Sequence, residues 1–357
     1  MLTLDGVSHQ YGSEPALEDV SFSLDDGELV GLLGPSGCGK TTVVQAVAGH
    51  LTPTAGCVRL RGADVTTMPP EERHVGVVFQ RSTLYPHMTV GENVAYGLTA
   101  CETTDTDRAQ TVAEYLELVG LAGRHDSHPD ELSGGQRRRV ELARALAPEP
   151  DVLLLDEPLS ALDRPLRSQL RNAIARIQKE TKVTTLFVTH DQEEAMSLAE
   201  RLIILNDGAI SAMGHPRRLY ESPPNRFVAS FLGRSNVISA TVVKLDPLTL
   251  EIGETVMEIT GHSQTDLCRG DDLRVHTRPA DTAILAADAA DTTVRLPGTV
   301  ASVTDIGSRY DVRVRLSSGE EVTIEREQSP PGVDEQVTIG IAETDLSVFS
   351  GENGFRR

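Results

Sequence analysis

The chain has 357 residues, of which 39% are hydrophobic and 24% are charged, a composition typical of globular proteins. This length favours two domains, and no run of about eighteen consecutive apolar residues is present to span a bilayer. The net charge of −20 disfavours a nucleic-acid partner, because the phosphates of nucleic acids are bound by basic surfaces.

The cysteines indicate a reducing compartment. They are far apart in the sequence and form no C-x-x-C pair, so we expect free thiols rather than disulfides or a zinc site. Residues 1–5 lack the basic and apolar segments of a secretory signal, and the chain is therefore expected to stay in the cytoplasm. The cysteines are Cys38, Cys57, Cys101 and Cys268.

The basic residues are unevenly divided between their two types. Lysine occurs only at Lys40, Lys179, Lys182 and Lys244, and every other basic residue is arginine. We interpret an acidic chain with few lysines as adapted to a salt-rich cytoplasm, where dissolved ions screen its self-repulsion. An acidic protein from an arginine-favouring genome is the alternative.

The first predicted elements are short strands. Residues 2–7 read as a strand that ends in a turn at Gly12, and residues 20–24 alternate apolar and polar side chains as a half-buried strand does. Tyr11 lies in the intervening loop. Its ring is either a packing residue or a platform on which an adenine base stacks.

A glycine-rich loop between a predicted strand, residues 29–33, and a predicted helix, residues 43–48, matches the pattern G-x-x-x-x-G-K-[ST]. Glycines let backbone N–H groups curl around a phosphate chain, and the helix adds its positive end. Lys40 is expected to bridge the β- and γ-phosphates, and the Thr41 hydroxyl to hold Mg²⁺. A simple glycine-rich turn is the alternative. The predicted loop consists of Gly34, Pro35, Ser36, Gly37, Cys38, Gly39, Lys40, Thr41 and Thr42.

A further apolar strand at residues 75–79 ends at Gln80. Ligands bind at the carboxyl ends of strands in α/β sheets, so the Gln80 amide could reach a metal or an attacking water. A surface glutamine is the alternative. Residues 81–147 read as mostly helical with an acidic break at residues 102–107, which predicts a helical insertion into the α/β domain.

A second cluster begins at Ser133, which forms a capping box with Gln136 at the start of a helix. Ser133, Gly134 and Gly135 at a helix N-terminus could receive a phosphate. The arginines at residues 137–139 are interpreted as a solvated helical face rather than a nucleic-acid surface.

The apolar run at residues 152–155 is typical of a buried parallel strand, and it delivers Asp156 and Glu157 to its carboxyl end. Adjacent buried carboxylates are costly without a cation. We therefore expect Asp156 to contact Mg²⁺ and Glu157 to polarise a water molecule. A tight connection follows at residues 160–163.

The next strand, residues 183–188, brings His190 to the same edge of the sheet. A histidine beside a phosphate loop is a candidate for contact with the γ-phosphate. Asp191 with Glu194 is expected to cap the helix that follows.

In this order the motifs closely resemble those of the ATP-binding cassette ATPases of membrane importers, over about residues 2–234. The resemblance implies an α/β P-loop NTPase fold with a helical subdomain at about residues 81–147. The matching motifs are Walker A at residues 34–41, Gln80, the LSGGQ signature at residues 132–136, Walker B at residues 152–156, Glu157, the SALD loop at residues 160–163 and His190.

The resemblance also implies roles for individual residues. Tyr11 would stack on adenine, Asp156 and Gln80 would contact Mg²⁺, Glu157 would be the general base, and His190 would sense the γ-phosphate. The implied catalytic set is Glu157, His190, Lys40 and Gln80.

Ser133, Gly134, Gly135 and Gln136 would bind the γ-phosphate held by a second subunit, and Asp163 of the SALD loop belongs to the same implied nucleotide site. Catalysis would then require a head-to-tail homodimer around two ATP molecules. The loop at residues 81–86 would contact a separate permease, with an extracellular solute-binding protein as an indirect partner. The resemblance thus implies a peripheral protein on the cytoplasmic side of the membrane.

Residues 235–357 read as short strands separated by turns, which predicts a small β-barrel. The segment resembles the transport-associated (TOBE) OB-type domain of importers for maltose-type sugars, polyamines and ferric iron. Residues 277–281 match that group's Arg-Pro-Glu stretch, with Ala280 in place of the glutamate. The predicted strands are residues 237–243, 248–252, 272–275, 298–304, 311–316 and 321–325.

Residues 231–236 resemble polyamine, ferric-iron and thiamine importers more than sugar importers, and the resemblance implies a cargo of that kind. Sugars and oxyanions are the alternatives. Arg138 stands at a position where many relatives carry glutamine. Residues 81–84 differ from the acidic and aromatic residues that are commoner there. A soluble cassette ATPase acting on DNA or ribosomes, an exporter ATPase and a non-hydrolysing regulator are rival functions. The intact catalytic residues and the β-rich C-terminal domain favour the importer.

Overall fold

The computed structural model describes residues 1–99, 104–160, 162–253, 255–259, 267–285 and 294–350. The chain divides into two compact units, Met1–Arg217 and Arg218–Arg357. No helix in the described ranges is both long enough and apolar enough to cross a membrane.

The first unit contains two sheets. Its strands are β1 Leu2–Tyr11, β2 Glu14–Leu24, β3 Leu29–Leu33, β4 Ala55–Leu60, β5 Ala63–Asp64, β6 Val75–Val78, β7 Val152–Asp156, β8 Thr184–Thr189, β9 Arg201–Asn206 and β10 Ala209–Gly214. Its helices are α1 Lys40–Ala48, α2 Val90–Gly97, α3 Asp105–Leu118, α4 Gly134–Leu146, α5 Arg164–Thr181 and α6 Gln192–Leu198.

The six-stranded sheet of this unit has the order β10-β9-β3-β8-β7-β6, and its strands are parallel except at the β9–β10 pair. All five residues of β3 are buried, as in the continuous apolar strands of parallel sheets. The four-stranded sheet has the order β2-β1-β4-β5 and shares one hydrophobic core with this parallel sheet. Parallel strands direct their carboxyl ends to one edge, where the predicted site residues lie.

The mostly helical segment predicted at residues 81–147 is confirmed by α2, α3 and α4. The acidic break predicted at residues 102–107 is wrong for residues 105–107. Asp105 and Asp107 lie in the first turn of α3, and the Thr104 hydroxyl accepts a hydrogen bond from the Asp107 N–H. Acidic side chains stabilise a helix N-terminus through its positive end, so these residues start a helix rather than interrupt one. Residues 100–103, which complete the predicted break, lie outside the described residues.

The second unit is β-rich, as predicted. Its helix α8 is Arg226–Phe231, and α7, Pro216–Glu221, spans the division between the units. Its strands are β11 Asn236–Leu245, β12 Leu248–Ile252, β13 Thr255–Ile259, β14 Asp272–Thr277, β15 Thr282–Ile284, β16 Val294–Asp305, β17 Tyr310–Leu316, β18 Glu321–Arg326, β19 Gln336–Ile341 and β20 Ser347–Ser350.

These strands form two antiparallel five-stranded sheets, β13-β12-β11-β14-β20 and β15-β19-β16-β17-β18, which share one hydrophobic core. Residues 317–319 form the turn that joins β17 to β18, with Gly319 at a φ of 88°. Strands β13, β15, β19 and β20 were not predicted, because their short apolar patterns are weak.

Residues 218–234 belong to the second unit, whereas the sequence predicts a domain boundary at residues 234/235. Arg278 provides a physical reason for this grouping. Its buried guanidinium donates hydrogen bonds to the carbonyl oxygens of Tyr220 and Ala229 and lies over the Tyr220 ring. The assignment of residues 1–234 to one functional domain stays a prediction.

Candidate functional site

The glycine-rich loop connects the buried strand β3 to α1, as predicted, although α1 begins at Lys40 rather than at residue 43. The Lys40 side chain is only 7% exposed, and its ammonium donates hydrogen bonds of 2.8 Å to the carbonyl oxygens of Gly34 and Pro35. Helix α1 has no side-chain cap and no acidic residue in its first turn. Its first N–H groups and the lysine therefore present positive charge at this loop, which suits a polyphosphate.

Two glycines of the loop cannot be replaced without strain. Gly39 has a φ of +104°, and a Cβ atom there would lie 2.5 Å from the carbonyl oxygen of Ala16. A Cβ atom on Gly34 would lie 2.4 Å from the Cys38 sulfur. The loop is thus closed so tightly that only glycine fits at both positions.

The residues predicted to contact Mg²⁺ offer oxygen atoms. Thr41 is exposed beside the buried Lys40, and Asp156 is partly buried at the end of β7. Burial is the largest cause that raises the pKa of the Asp156 carboxyl, the Glu157 carboxylate raises it further, and the Lys40 ammonium opposes both. A neighbouring cation would relieve this penalty on the charged Asp156.

In the described part of the chain, no cluster of three or more His, Cys, Asp or Glu residues could hold a metal by itself. Magnesium ions, however, commonly use one or two protein oxygens together with phosphate oxygens. The hydroxyl, carboxylate and amide oxygens of Thr41, Asp156 and Gln80 therefore fit a magnesium–nucleotide complex better than a free metal.

The structure brings three predicted site residues together at the carboxyl edge of the sheet. The Gln80 side-chain amide donates to Oε2 of Glu157 over 2.8 Å, and His190 Nδ1 lies 3.0 Å from Oε1 of the same carboxylate. These residues follow β6, β7 and β8, which are neighbours in the sheet. The carboxylate of Glu157 is thus held between an amide and an imidazole.

The backbone around this carboxylate is unusual. Glu157 has a φ of 45°, and its N–H donates to the carbonyl oxygen of Val188 over 2.9 Å. A left-handed conformation at a non-glycine residue costs on the order of 1 kcal/mol and is typical of functional positions. The hydrogen bond to β8 holds this turn.

His190 directly precedes Asp191, the N-cap residue of α6. The Asp191 carboxylate caps that helix by accepting from the N–H groups of Glu193 and Glu194, which confirms its predicted role. Glu194 does not complete a capping box, since its buried carboxylate accepts from the Thr189 hydroxyl over 2.7 Å. Arg167 of α5 forms an ion pair of 3.3 Å with Asp191.

The signature segment lies at the start of α4 with the predicted capping box. The Gln136 N–H donates to Ser133 Oγ over 3.2 Å, and the Ser133 N–H donates to the Gln136 side chain over 2.9 Å. Within the described residues, no hydrogen bond joins this segment to residues 34–42 or to Glu157.

Tyr11 and Asp163 have local contacts. The Tyr11 ring is 52% exposed, and its hydroxyl donates to the Gln45 side chain of α1 over 3.1 Å. An exposed ring beside the first helix is accessible to a planar base. The Asp163 carboxylate accepts from the Leu166 N–H and caps α5, so its observed contact is structural.

The interpretation of the arginine run as a solvated face was wrong for Arg138. This side chain is buried, and its guanidinium pairs with Glu141 at 2.7 Å and donates to the carbonyl oxygens of Phe79 and Gln80. This link between α4 and the segment that carries Gln80 was not predicted from the sequence. The opposite charges of Arg138 and Glu141 at i, i+3 spacing were the available signal.

Two sequence-family models match the chain, one in each of its two units. A sequence model described as ABC transporter matches residues 17–160, and one described as TOBE domain matches residues 269–349. Among solved structures, the dimeric ATP-binding cassette MJ0796, in a post-hydrolysis state bound to ADP and Pi, is 31% identical. The alignment covers 61% of this chain and 99% of that chain, with a TM-score of 0.54.

Curated relatives include three import proteins. The spermidine/putrescine import ATP-binding protein PotA of Aliivibrio fischeri is 40% identical over 96% of this chain and 93% of its own length. The Fe(3+) ions import ATP-binding protein FbpC of Rhizobium etli is 47% identical over 69% of both chains. The sulfate/thiosulfate import ATP-binding protein CysA 2 of Chromobacterium violaceum is 48% identical over 67% of this chain and 65% of its own.

Proposed function

Because this chain belongs to the ATP-binding proteins of the ABC transporter family and carries a TOBE domain, we propose that it hydrolyses ATP to drive import through a separate permease. The convergence of Gln80 and His190 on the carboxylate of Glu157 carries this proposal. An acidic residue held at the carboxyl edge of the sheet is placed to accept a proton from water.

In this mechanism the glycine-rich loop binds the phosphates of ATP, and Lys40 moves its ammonium from its own loop carbonyls to the β- and γ-phosphates. The first N–H groups of α1 hold the phosphate oxygens, and Tyr11 stacks on the adenine. Mg²⁺, held by Thr41, Asp156 and Gln80 with phosphate oxygens, would neutralise part of the charge that develops during phosphoryl transfer.

Glu157 acts as the general base that takes a proton from the attacking water. His190 contacts the γ-phosphate, and Gln80 orients the water or the metal contact. Gln80 and His190 each already lie within hydrogen-bond distance of the Glu157 carboxylate, so little rearrangement of the site is needed.

A head-to-tail homodimer completes the site in this proposal. The signature residues Ser133–Gln136 and Asp163 of one copy face the nucleotide bound by the other copy. The dimeric state of the solved MJ0796 cassette supports this arrangement. ATP favours the closed dimer, and loss of the γ-phosphate releases it.

The proposed partners follow from this role. The loop at residues 81–86, of which residues 81–83 are exposed, would contact the cytoplasmic helices of a permease, and the protein would then lie peripherally on the cytoplasmic face of the membrane. An extracellular solute-binding protein would supply the cargo to the permease. A nucleic-acid partner is disfavoured by the net charge of −20.

A polyamine, ferric-iron or thiamine-type solute is the proposed cargo. The polyamine importer relative aligns over both units of this chain, whereas the iron and sulfate relatives align over about two thirds of it. Sugar or oxyanion import is the alternative. Uptake assays with the cognate permease and binding protein distinguish these classes of cargo. Uptake of a sugar alone would overturn the proposed cargo.

The primary experiment measures ATP hydrolysis by the purified protein in molar KCl, with and without its permease, beside ATP binding and oligomer size. Hydrolysis by the wild type and an ATP-dependent dimer support the proposal. Failure to bind ATP would overturn it.

A further inference from the structure

Three charged side chains of α4 hold the segment that follows β6, and this segment carries Gln80. The side chains are Arg138, Glu141 and Arg144, which we call the α4 anchor. They are spaced three residues apart, so they follow one another along the same side of the helix.

Arg138 makes the most buried contacts of the α4 anchor. Its guanidinium donates to the carbonyl oxygen of Phe79 over 2.7 Å and to that of Gln80, and it pairs with the Glu141 carboxylate at 2.7 Å. The side chains of Arg138 and Glu141 are only 7% and 2% exposed. A guanidinium so enclosed can satisfy its fixed donors only with partners in this geometry.

The other two members of the anchor hold Thr83 in the same segment. Oε1 of Glu141 accepts from the Thr83 N–H over 2.9 Å, and Arg144 donates to the Thr83 carbonyl oxygen over 2.8 Å and to its hydroxyl. Residues 79–83 are thus bound to α4 through both their donors and their acceptors.

The α4 anchor lies between two parts of the proposed nucleotide site. Helix α4 begins at the signature cap, Ser133, while the anchored segment carries the Gln80 amide that donates to Glu157. Through the contacts of Arg138, a displacement of the first turn of α4 would be transmitted to the backbone of Gln80.

We propose that Arg138 is a positioning residue for Gln80, which couples α4 to the carboxylate of Glu157. This inference rests on the proposed ATPase function and adds a residue to it. Arg138 is not placed to touch the reacting water or the phosphates, and it acts by holding the carbonyl oxygens of Phe79 and Gln80, which lie on either side of the Gln80 α-carbon. Charge-assisted hydrogen bonds are about twice as strong as neutral ones, which suits this mechanical role.

The first test measures amide hydrogen exchange in the full-length protein, which requires no turnover. Glu141→Ala removes the acceptor for the Thr83 N–H, and we expect exchange of residues 80–84 to accelerate about tenfold or more. Glu141→Gln keeps an acceptor oxygen and should change exchange less. Arg138→Gln should also accelerate exchange, because it frees two carbonyl oxygens and the Glu141 carboxylate.

Arg139→Gln is the matched control. Arg139 neighbours Arg138 on the same helix, and among the described residues no hydrogen bond links it to residues 79–83. Exchange in this variant should equal that of the wild type. Equal exchange in Arg138→Gln and Arg139→Gln would overturn the anchor, whether or not either protein hydrolyses ATP.

The second test separates kcat from KM in the permease-stimulated ATPase. Arg138→Gln should lower kcat about tenfold while changing the KM for ATP less than about threefold, because the phosphate loop is untouched. Arg138→Lys retains the charge and should recover part of kcat. An unchanged kcat in Arg138→Gln beside a lowered melting temperature would mean a purely structural role and overturn the proposal.

The two tests distinguish failure of this inference from failure of the proposed function. If the wild type neither binds nor hydrolyses ATP, the proposed function is wrong, and so is the proposed coupling to Glu157. Hydrogen exchange then still tests whether the α4 anchor holds residues 80–84. An active wild type with kcat unaffected by Arg138→Gln and Glu141→Ala removes only the inference.

Discussion

The side-chain amide of Gln80 donates a hydrogen bond of 2.8 Å to the carboxylate of Glu157, 77 residues further along the chain. Parallel pairing of β6 with β7 brings the two residues together, since Val78 and Leu155 are partners in register near the ends of these strands. The next strand, β8, adds His190 on the second oxygen of the same carboxylate. The sheet register thus fixes the position of the proposed base before nucleotide binds.

The first prediction tests that base. Glu157→Gln keeps the shape and the hydrogen-bonding partners of the side chain but cannot accept a proton from water. We expect ATP binding to persist, hydrolysis to fall by a factor of about 100 or more, and an ATP-bound dimer to accumulate. Turnover assays and light scattering with and without ATP measure these effects.

Glu180→Gln provides the control for that variant, because Glu180 lies in a half-exposed surface pair with Arg176 at i, i+4 spacing. Hydrolysis in the control should match the wild type. Normal turnover by Glu157→Gln would remove Glu157 from the role of general base.

The second prediction concerns Asp156, whose raised pKa means that folding disfavours the charged form of its carboxyl. Asp156→Asn removes that charge, so the nucleotide-free protein should melt a few degrees higher at pH 7. The same variant should lose Mg²⁺-dependent stabilisation by ATP and hydrolyse ATP at least about 100-fold more slowly.

Differential scanning fluorimetry with and without Mg²⁺ and ATP measures both effects. Asp126→Asn is the control, because the Asp126 side chain is 98% exposed and pays no comparable cost of burial. A melting temperature lowered by Asp156→Asn in the absence of nucleotide would contradict the argument from burial.

Much of this site could be predicted from the sequence because its residues follow strands or begin helices. The capping box of Ser133 and Gln136 is local, and the end of a buried apolar run identifies Asp156 and Glu157. Arg138 could not be assigned in this way. Its carbonyl partners lie 58 and 59 residues away, so only the tertiary structure shows that this arginine is buried.

The start of α3 was also mispredicted, here because the sequence pattern was judged by polarity alone. The acidic residues Asp105 and Asp107 look like a break when polarity alone is considered, yet the Thr104 cap makes them a favourable first turn. In the second unit, β15 and β20 have only three and four residues. Such short strands depend on pairing with distant neighbours, which a sequence pattern does not contain.

The third prediction concerns Cys38 in the glycine-rich loop. Burial raises the pKa of its thiol, with the Lys40 ammonium acting in the opposite direction, so little thiolate is present near neutral pH. We expect N-ethylmaleimide to modify Cys38 at least about tenfold more slowly than the exposed Cys268, and ATP to slow it further. Peptide mass spectrometry over time measures both rates.

Modification of Cys38 should also abolish ATP binding, because the added group would occupy the loop. Cys38→Ser should bind ATP normally and resist this inactivation, which separates the effect of Cys38 from that of the other thiols. Equal labelling rates at Cys38 and Cys268 would contradict the observed burial.

The fourth prediction concerns salt. The net charge of −20 should cause self-repulsion that dissolved ions screen, so the melting temperature should rise between low salt and molar KCl. Equal ionic strengths of NaCl and KCl serve as the comparison, because screening depends on ionic strength alone. A melting temperature that does not rise would remove the salt-adaptation hypothesis.

The fifth prediction concerns His276 in the second unit. Burial, together with the charges of Arg226, Arg278 and Arg274, lowers the pKa of His276 to about 4. The folded unit therefore binds fewer protons than the unfolded chain between the ordinary pKa of 6.5 and about 4. The contribution of His276 to the free energy of unfolding is therefore fully present above pH 6.5 and is lost as the pH falls towards 4.

The expected loss is up to about 3 kcal/mol of unfolding free energy. Urea unfolding monitored in the second unit between pH 7 and pH 4 measures it. His276→Asn does not titrate in this range and can retain a hydrogen bond to Ser235, which lies 3.1 Å from Nδ1 of the histidine. Its unfolding free energy should therefore depend less on pH than that of the wild type, and an equal pH dependence would mean that His276 is not the group responsible.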